Sequence, residues 1–254
     1  MMPWFMWNGT DSRSKGLYVS ALPPITRAQE RIEEIQVPGR PGILTLKEGE
    51  GVFEPVTLQC NVWARTENVV GLKSWLRGIG EVIFSNDPER VHYAKIYGEV
   101  VFSKAFNGVV QATIPFVCDP LCGQYPPESQ MSWDGDTDYL GIPNIFNPGD
   151  VPAKPIIIAT FDGSPANLSF ATDGVEDVVL AFATLTDNSY NNTTFVFDSD
   201  SMVVYDYTSG EDYTYMLYKG DPRKLWIPTG GGHHVKWSPN VLSAMSIVPR
   251  WRWL

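Results

Sequence analysis

The residues with the clearest chemical potential are three alternating aspartates. Asp134, Asp136 and Asp138 form the run D-G-D-T-D, which is typical of the start of a calcium-binding loop. A complete loop of that type needs glycine at its sixth position and glutamate at its twelfth, where this chain has Tyr139 and Ile145. Because both requirements fail, the sequence favours a solvated acidic loop and predicts no metal site.

The three histidines do not form a predicted catalytic group. His233 and His234 are adjacent, and adjacent side chains on a strand point to opposite faces, so they make a poor pair of metal ligands. Either of them, or His92, would need a nucleophile and an acid beside it for hydrolysis. The chain lacks the G-x-S-x-G nucleophile elbow. The sequence therefore predicts no catalytic residue and no enzyme, with a β-sandwich hydrolase as a weaker alternative.

Two further patterns invite a cofactor interpretation and do not support it. Cys118 and Cys122 are four residues apart, but with Cys60 the chain has three cysteines, so no second pair completes a zinc site. We expect both to be buried, reduced thiols. The triple glycine at 230–232 lacks the Lys-Ser/Thr pair and the helix of a phosphate-binding loop, and it favours a hairpin turn. No cofactor is predicted.

Aromatic residues in the second half could bind a sugar, because flat rings suit the apolar faces of sugars. Their alternation on predicted strands fits packing inside a sandwich equally well, and both interpretations stay open. The residues are Tyr190, Tyr205, Tyr207, Tyr213 and Tyr215.

The elements that must position these residues are mostly short strands. Residues 129–155 are rich in Gly, Pro, Asn and Asp and predict a long ordered loop. Strand patterns then recur at roughly ten-residue spacing, which indicates an antiparallel sandwich. The predicted strands are 155–161, 166–170, 178–183, 193–198, 201–207, 213–218, 225–228, 232–237 and 244–253.

The first half combines strands with one helix. Residues 56–63 alternate between apolar and polar, and 16–19, 81–84, 92–97, 99–102 and 108–117 are also strand-like. Residues 28–37 fit either a helix or an edge strand, 37–42 must form a turn or loop, and 118–127 resemble a linker. The helix is indicated by one apolar stripe, with Thr66 or Asn68 as its cap and Gly78 and Gly80 as its stop. The stripe is Val69, Leu72, Leu76 and Ile79.

Charge divides the chain in two. Residues 1–124 carry 12 Lys/Arg and 13 Asp/Glu, whereas residues 125–254 carry 7 and 16, which together give the net charge of −10. The asymmetry supports domains at 1–126 and 127–254, and the acidic balance argues against nucleic-acid binding. No run of 18 uncharged apolar residues and no signal peptide is present, so no membrane segment is predicted, and cysteine usage indicates synthesis in a reducing compartment.

Several motifs, in this order and spacing, resemble the distal tail protein of long-tailed, non-contractile bacteriophages. Two further segments, D-G at 162–163 and I-P-T-G-G-G-H-H-V-K-W at 227–237, fit that family more loosely. The main motifs are V-P-G-R-P-G at 37–42, W-L-R-G-I-G-E-V-I-F-S-N-D-P at 75–88, I-P-F-V-C-D-P at 114–120 and M-S-I-V-P-R-W-R-W-L at 245–254.

The resemblance implies a structural hub. Members of that family form a homo-hexameric ring at the tail tip, joining the tail tube protein to a tail-associated lysin-like protein and to receptor-binding parts, with a channel for DNA. It implies a mainly β fold, in which an N-terminal split β-barrel with one helix builds the ring and a C-terminal galectin-like antiparallel β-sandwich points outward. It also implies assembly in the host cytoplasm and a final place in the virion.

This chain departs from the family in two respects. Pro41 stands where the family usually has an acidic residue, and the second half is large enough only for the bare sandwich, without a carbohydrate-binding insertion. The alternative function is a carbohydrate-binding host-adsorption protein that acts through the sandwich.

The C-terminus carries an alternating apolar pattern. Met245, Ile247, Trp251 and Trp253 share one parity, so a single strand would place all four on one face. We expect a docked last strand at 244–254, which could pack back toward the N-terminal domain. The alternative is that both tryptophans are exposed partner contacts.

Overall fold

The computed structural model describes residues 2–36, 38–39, 41–47, 52–127, 129–132, 141–161, 168–172, 178–182, 193–219, 225–238 and 242–254. The chain divides into two compact units, Met1–Pro126 together with Leu254 (unit 1) and Pro127–Trp253 (unit 2). Strands dominate both units, and α1 (Val69–Trp75) is the one α-helix within these described ranges. The predicted mainly β fold class is therefore confirmed. Among the same residues, no helix has the length and apolar character needed to cross a membrane.

Unit 1 is an antiparallel sheet that curls into a half-barrel. The hydrogen-bonded order is β2-β1-β7-β8-β10-β6-β3, β9 pairs with the start of β10, and β4 and β5 form a separate hairpin. The strands are β1 (Phe5–Trp7), β2 (Thr10–Asp11), β3 (Leu17–Ala21), β4 (Ile32–Ile35), β5 (Leu44–Lys47), β6 (Val56–Arg65), β7 (Gly78–Phe84), β8 (Asp87–Ile96), β9 (Ser103–Phe106) and β10 (Val109–Gln124).

The alternation predicted at 56–63 creates the core face of this sheet. Along β6 every second residue is buried, and the strand pairs with β10 from Val109↔Arg65 to Cys118↔Val56. Leu72 of α1 joins the same apolar cluster, together with Phe5 and Phe116. Trp75 stacks on Phe5 with ring centroids 5.9 Å apart. The helix is thus held by the burial of its apolar stripe, since a helix of two turns has little stability of its own.

The helix is shorter than predicted. It ends at Trp75, and Ile79 belongs to β7, where its side chain is 71% exposed. The predicted glycine stop is wrong: Leu76 caps the end of the helix, and Gly78 and Gly80 both lie on β7, where Gly78 has φ +88°, a conformation that suits glycine. The predicted side-chain cap is wrong: neither Thr66 nor Asn68 caps α1, because a 3₁₀ turn precedes the helix and the Asn68 amide lies against Gly16.

Three other expectations in unit 1 are corrected or decided. The linker predicted from residue 118 is wrong, because β10 continues to Gln124 across a bulge between Cys118 and Cys122 that accommodates Pro120. Residues 99–102 are not a strand, and pairing resumes at β9. Within the ambiguous segment 28–37, Ile32–Ile35 forms the strand β4.

Unit 2 contains two five-stranded antiparallel sheets, as a sandwich requires. Their orders are β11-β20-β13-β16-β17 and β12-β19-β14-β15-β18. Alternate residues of β13, namely Ile157, Ala159 and Phe161, are buried. The strands are β11 (Met131–Ser132), β12 (Gly141–Asn147), β13 (Ile156–Phe161), β14 (Leu168–Thr172), β15 (Val178–Phe182), β16 (Thr194–Asp198), β17 (Val203–Asp206), β18 (Leu217–Lys219), β19 (Gly230–Ser238), β20 (Leu242–Val248) and β21 (Arg252–Trp253).

Two turn-like segments of unit 2 are strands instead. The loop predicted at 129–155 contains the strand β12. This strand is bulged and has Asn144 at φ +56°, so its residues do not alternate regularly and its composition resembles that of a loop. The triple glycine begins β19 and does not form a hairpin turn. Glycine is needed there because a Cβ at Gly231 would lie 2.7 Å from the Phe146 ring.

Two predicted strands are not formed as expected. Residues 213–218 begin with a 3₁₀ turn (Thr214–Met216), and only β18 follows as a strand. Residues 225–228 make a single bridge, Ala153↔Ile227, instead of a strand.

The C-terminus is two short strands instead of one. β20 ends at Val248, and Arg250 takes φ +54° before β21 begins. Proline cannot donate to a ladder, so the break at Pro249 follows from the sequence. The four residues of the predicted apolar face, Met245, Ile247, Trp251 and Trp253, are nevertheless all buried.

Candidate functional site

The residues singled out for chemistry do not form a described reactive site. Asp134, Asp136 and Asp138 lie outside the described residues. His233 is on β19, where its Nε2 lies 3.4 Å from the Thr229 carbonyl oxygen. Within the ranges that the structure describes, no three His, Cys, Asp or Glu residues come together as metal ligands.

The cysteines and His92 occupy apolar surroundings in unit 1. All three cysteines are buried free thiols. Burial raises the pKa of Cys60 to about 12, and burial with the nearby Asp119 and Cys122 raises the pKa of Cys118 to about 12. Thiols of this kind stay protonated at neutral pH and are poor nucleophiles. Burial also lowers the pKa of His92, so its imidazole is held neutral.

The tyrosines of unit 2 divide into packed and exposed residues. Tyr213 packs edge-to-face on Phe195, with centroids 5.4 Å apart, and donates its hydroxyl to Glu211. Tyr215 stacks on Tyr213 and is 75% exposed, and Tyr207 is exposed as well. Tyr190 lies outside the described residues. Sequence alternation did not distinguish these two environments.

The most unusual surface of unit 1 is the hairpin made by β4 and β5. Ile35 pairs with Leu44 and Glu33 with Leu46, so alternation places three apolar residues, Ile35, Leu44 and Leu46, on one face together with Glu33; this is here named the hairpin face. Leu46 is 43% exposed. Neither strand pairs with another described strand, and a two-stranded hairpin alone is marginally stable.

The two arms of the hairpin are joined at its base, next to β4 and β5. The Arg31 and Glu54 N–H groups donate to the Val52 and Gln29 carbonyls, and the Arg31 guanidinium donates to the Glu54 carboxylate at 2.9 Å. These bonds close the hairpin on itself and do not involve the side chains of the hairpin face.

Unit 2 has a contrasting peripheral segment, here named the C-terminal clasp and defined as Pro249–Trp253. The Arg250 guanidinium donates two hydrogen bonds, of 2.8 and 2.9 Å, to the two carboxylate oxygens of Asp198. Arg252 donates to Asp200 at 2.6 Å, and the Lys154 ammonium lies 3.2 Å from the same carboxylate. Bidentate arginine–carboxylate pairs have well-defined geometry, so they fix the position of the clasp.

The charges of the clasp alter the acidity of both aspartates. Burial of Asp198 opposes its ionisation, but hydrogen bonds from Arg250 and from the Ser201 and Asp200 main chains outweigh burial and hold its pKa below 3.8. Burial likewise opposes ionisation of Asp200, and Arg252 with Lys154 lowers its pKa despite that. Both carboxylates are therefore ionised at neutral pH.

The buried side-chain amide of Asn147 holds the loop against which the clasp packs. The Asn147 Nδ2 donates to the carbonyls of Val151 and Ile227, and its Oδ1 accepts from the Gly149 N–H at 2.9 Å. The Asp150 N–H donates to the Arg252 carbonyl, and the Trp253 indole donates to Pro148. A Cβ at Gly149 would lie 2.2 Å from the Arg252 carbonyl oxygen, so this close approach requires glycine.

Sequence reasoning missed the clasp, although a signal was present. Asp198 and Asp200 are two residues apart, and so are Arg250 and Arg252. Two acidic and two basic residues with equal spacing can form two neighbouring ion pairs where their segments meet, although Asp200 lies in a turn and Arg250 has a left-handed backbone.

The two units, taken with their connection order, have the fold of the distal tail class that the sequence resembles, and the resemblance is confirmed at the level of the fold. A solved structure that matches is Dit (gp 19.1) of phage SPP1, a paradigm of the hub adsorption apparatus in phages infecting Gram-positive bacteria. The two chains are 16% identical, the match covers 100% of each, and the TM-score is 0.75. No family model and no curated protein sequence matches the chain.

Proposed function

We propose that this protein is a structural hub at the tip of a phage tail. The observation that carries the proposal is the fold match to SPP1 Dit, which extends over the whole of both chains. A match to one unit alone would support only the presence of one domain in common with SPP1 Dit. Agreement over both units, in order, supports a shared architecture and a shared role in the adsorption apparatus.

The proposed working form is a homo-hexameric ring built by unit 1. The hairpin face supports this assembly, because Leu46 is exposed beside the half-buried Ile35 and Leu44 on an element that is marginally stable alone. A second copy of the chain would cover that surface, and repetition of one such contact around an axis closes a ring.

The ring would leave a channel for DNA. Residues 1–124 carry 12 basic and 13 acidic side chains, so a wall built from this half has almost no net charge. DNA adheres to proteins mainly through Lys and Arg contacts with phosphates. A neutral wall would therefore let DNA pass without being retained.

The remaining parts of the proposal concern partners and place. One face of the ring would contact the tail tube protein, and the other the lysin-like tip protein and receptor-binding parts. Such a hub works by geometry and not by catalysis, which agrees with the protonated Cys60 and Cys118 thiols. Its site would be the virion tail tip, after assembly in the host cytoplasm.

Light scattering on the full chain tests the assembly. We expect a mass of six copies, reached at high concentration or with a tail partner. A monomer at every concentration, both alone and with tail tube protein, would contradict the proposal.

A second candidate function is carbohydrate binding through unit 2, favoured by the exposed rings of Tyr207 and Tyr215. Under this alternative, Tyr215→Ala would abolish glycan binding while leaving assembly intact. Loss of tail joining with intact glycan binding would separate the two roles.

The division into a ring-forming domain at 1–126 and a galectin-like domain at 127–254 is part of the proposal. Linkers with few crossing contacts are cleaved first by proteases. We expect limited proteolysis to cut first between β10 and β12 and to leave two folded fragments. Early cleavage scattered through both halves would count against it.

A further inference from the structure

Unit 1 contains a groove whose lining includes no residue of the hairpin face. It has a volume of about 550 Å³, within the roughly 300–1,000 Å³ that is usual for sites of small ligands. It lies on the side of the sheet opposite the apolar core, across β3, β6, β9 and β10. Its polar side chains are Ser20, Asn61, Glu99, Ser103, Gln111 and Thr113.

Strand register explains why these residues meet. Thr113 is paired with Asn61, and Gln111 with Trp63, so two rows of outward side chains cross the sheet next to each other. Ser103 extends the second row, because it pairs with Gln111 from the other side. The polar positions of the alternating strands thus converge on one surface.

The groove has hydrogen-bonding groups of both kinds. The Thr113 hydroxyl donates to the Asn61 side-chain oxygen at 2.7 Å, and the Ser20 hydroxyl donates to the Asn61 carbonyl. The Thr113 bond orients the side-chain amide of Asn61, whose NH₂ has no acceptor among the described residues, whereas the Ser20 bond is made to the Asn61 main chain. The amide of Gln111 can donate and accept, and Glu99 can accept.

An aromatic platform borders the polar rows. Tyr18 and Trp63 stack with ring centroids 4.5 Å apart and an angle of 22° between their planes. Trp63 is 38% exposed and shares the outward face with Asn61, two residues away on β6. Stacking on Tyr18 limits the movement of the Trp63 ring, so a flat surface is held beside the groove.

The chemistry of the lining selects the ligand class. Among the described residues that line the groove, Glu99 carries the only charge, so no cation is present to pair with a phosphate or carboxylate. An apolar ligand would bury the amides and hydroxyls without partners, which is unfavourable. A sugar has an apolar face for an aromatic ring and an edge of hydroxyls for amides and carboxylates.

We propose that this groove of unit 1, with Trp63 as its stacking platform and Asn61 as its central hydrogen-bonding residue, binds a neutral carbohydrate. The site is distinct from the tyrosines of unit 2 and does not depend on the hub function. Its failure would leave the assembly proposal unaffected.

Titration calorimetry on the full chain tests the site, with maltohexaose, cellohexaose and chitohexaose as probes. We expect at least one of them to bind. Trp63→Ala and Asn61→Asp should weaken that binding by about tenfold or more, since each removes one main contact. Trp63→Phe, which keeps a flat ring, should retain most of it.

Matched controls separate a binding effect from a folding effect. Thr57→Ala changes the same outward face of β6 away from the groove, and Tyr215→Ala changes the other aromatic candidate, so both should bind like the parent. Melting curves show which variants are folded at the temperature of the titration, and only folded variants are compared. The proposal is overturned if none of the three sugars binds at millimolar concentration, or if Tyr215→Ala abolishes binding that Trp63→Ala leaves intact. It is equally overturned if Trp63→Ala changes the assembled mass but not sugar binding, because the surface would then be a subunit contact.

Discussion

The hairpin of unit 1 and the C-terminal clasp of unit 2 are both short peripheral segments, yet they are stabilised in opposite ways. The clasp is tied into its own unit by bidentate Arg250–Asp198 bonds, by Arg252–Asp200 and by the indole of Trp253. The hairpin is bonded between its own two arms at the base, and it exposes Leu46. A segment whose side chains are satisfied locally contributes to stability. A segment with uncovered apolar surface is available for a partner.

The largest effect on stability is expected from the tryptophans of the clasp. Trp251 is 5% exposed, and Trp251→Ala should lower the free energy of unfolding by about 3–5 kcal/mol, as for other buried aromatic residues. Deleting residues 250–254 should lower the melting temperature further or leave the protein insoluble. A deletion variant that melts like the parent but no longer joins tails would instead make the clasp a partner surface.

A smaller loss of stability is expected when the Arg250–Asp198 ion pair is removed. Arg250→Ala leaves the part-buried Asp198 carboxylate without its guanidinium and should cost about 1–3 kcal/mol. A double-mutant cycle with Asp198→Ala, measured by urea unfolding, isolates the pair from the left-handed strain at Arg250. Additive losses would show that the two side chains do not interact.

The Arg250–Asp198 and Arg252–Asp200 pairs predict that the stability of the protein depends on pH. The folded-state pKa values of Asp198 and Asp200 lie below 3.8, so their contribution to stability is present above that pH and is lost as pH falls through the folded values. Urea unfolding across this acidic range should show declining stability. The decline should be smaller in Asp198→Asn, and an identical decline in the parent and the variant would contradict the assignment.

A small gain in stability is expected from one substitution in the turn that contains Asp198 and Asp200. Met202 has φ +60°, which is unfavourable for its side chain, and its N–H donates to the Asp198 carbonyl. Asparagine tolerates this conformation better, so Met202→Asn should raise the free energy of unfolding by up to about 1 kcal/mol. Thermal melts against Ser201→Asn, a neighbouring control, check the result. A loss of stability in Met202→Asn alone would show that the methionine side chain makes a contact that outweighs the strain.

The hairpin face should give the smallest change in stability and a large change in assembly. Leu46→Asp replaces an exposed side chain, so its unfolding free energy should stay within about 0.5 kcal/mol of the parent. The charge would be buried in a subunit contact, so the assembled mass should fall. Thr45→Asp, on the opposite hairpin face, is the control. Equal masses for both variants and the parent would exclude the face from assembly.

Periodicity predicted those parts of the fold in which one face of a strand is buried. The strand β6 follows directly from its alternation, because each buried residue is apolar and each outward residue is polar or exposed. The strand β12 was missed because bulges and the left-handed Asn144 disturb that alternation. The end of α1 was misplaced because Ile79 continues the apolar spacing but lies on a strand.

The groove and the clasp depend on pairing between distant parts of the chain, which sequence periodicity cannot predict. The groove exists because Asn61 and Thr113 are paired in register, and the clasp exists because Asp198 and Arg250 meet across 52 residues. In contrast, the motifs that carry the family resemblance were sufficient to predict the mainly β fold.

The proposed assembly is a ring of six copies closed by unit 1. Negative-stain electron microscopy of the purified full chain, at high concentration and with tail tube protein, would show this ring. We expect class averages with six-fold symmetry and a central opening, and we expect the rings to be lost in Leu46→Asp but not in Thr45→Asp. Uniform single particles of one chain under every condition, with no ring at the tip of assembled tails, would contradict it.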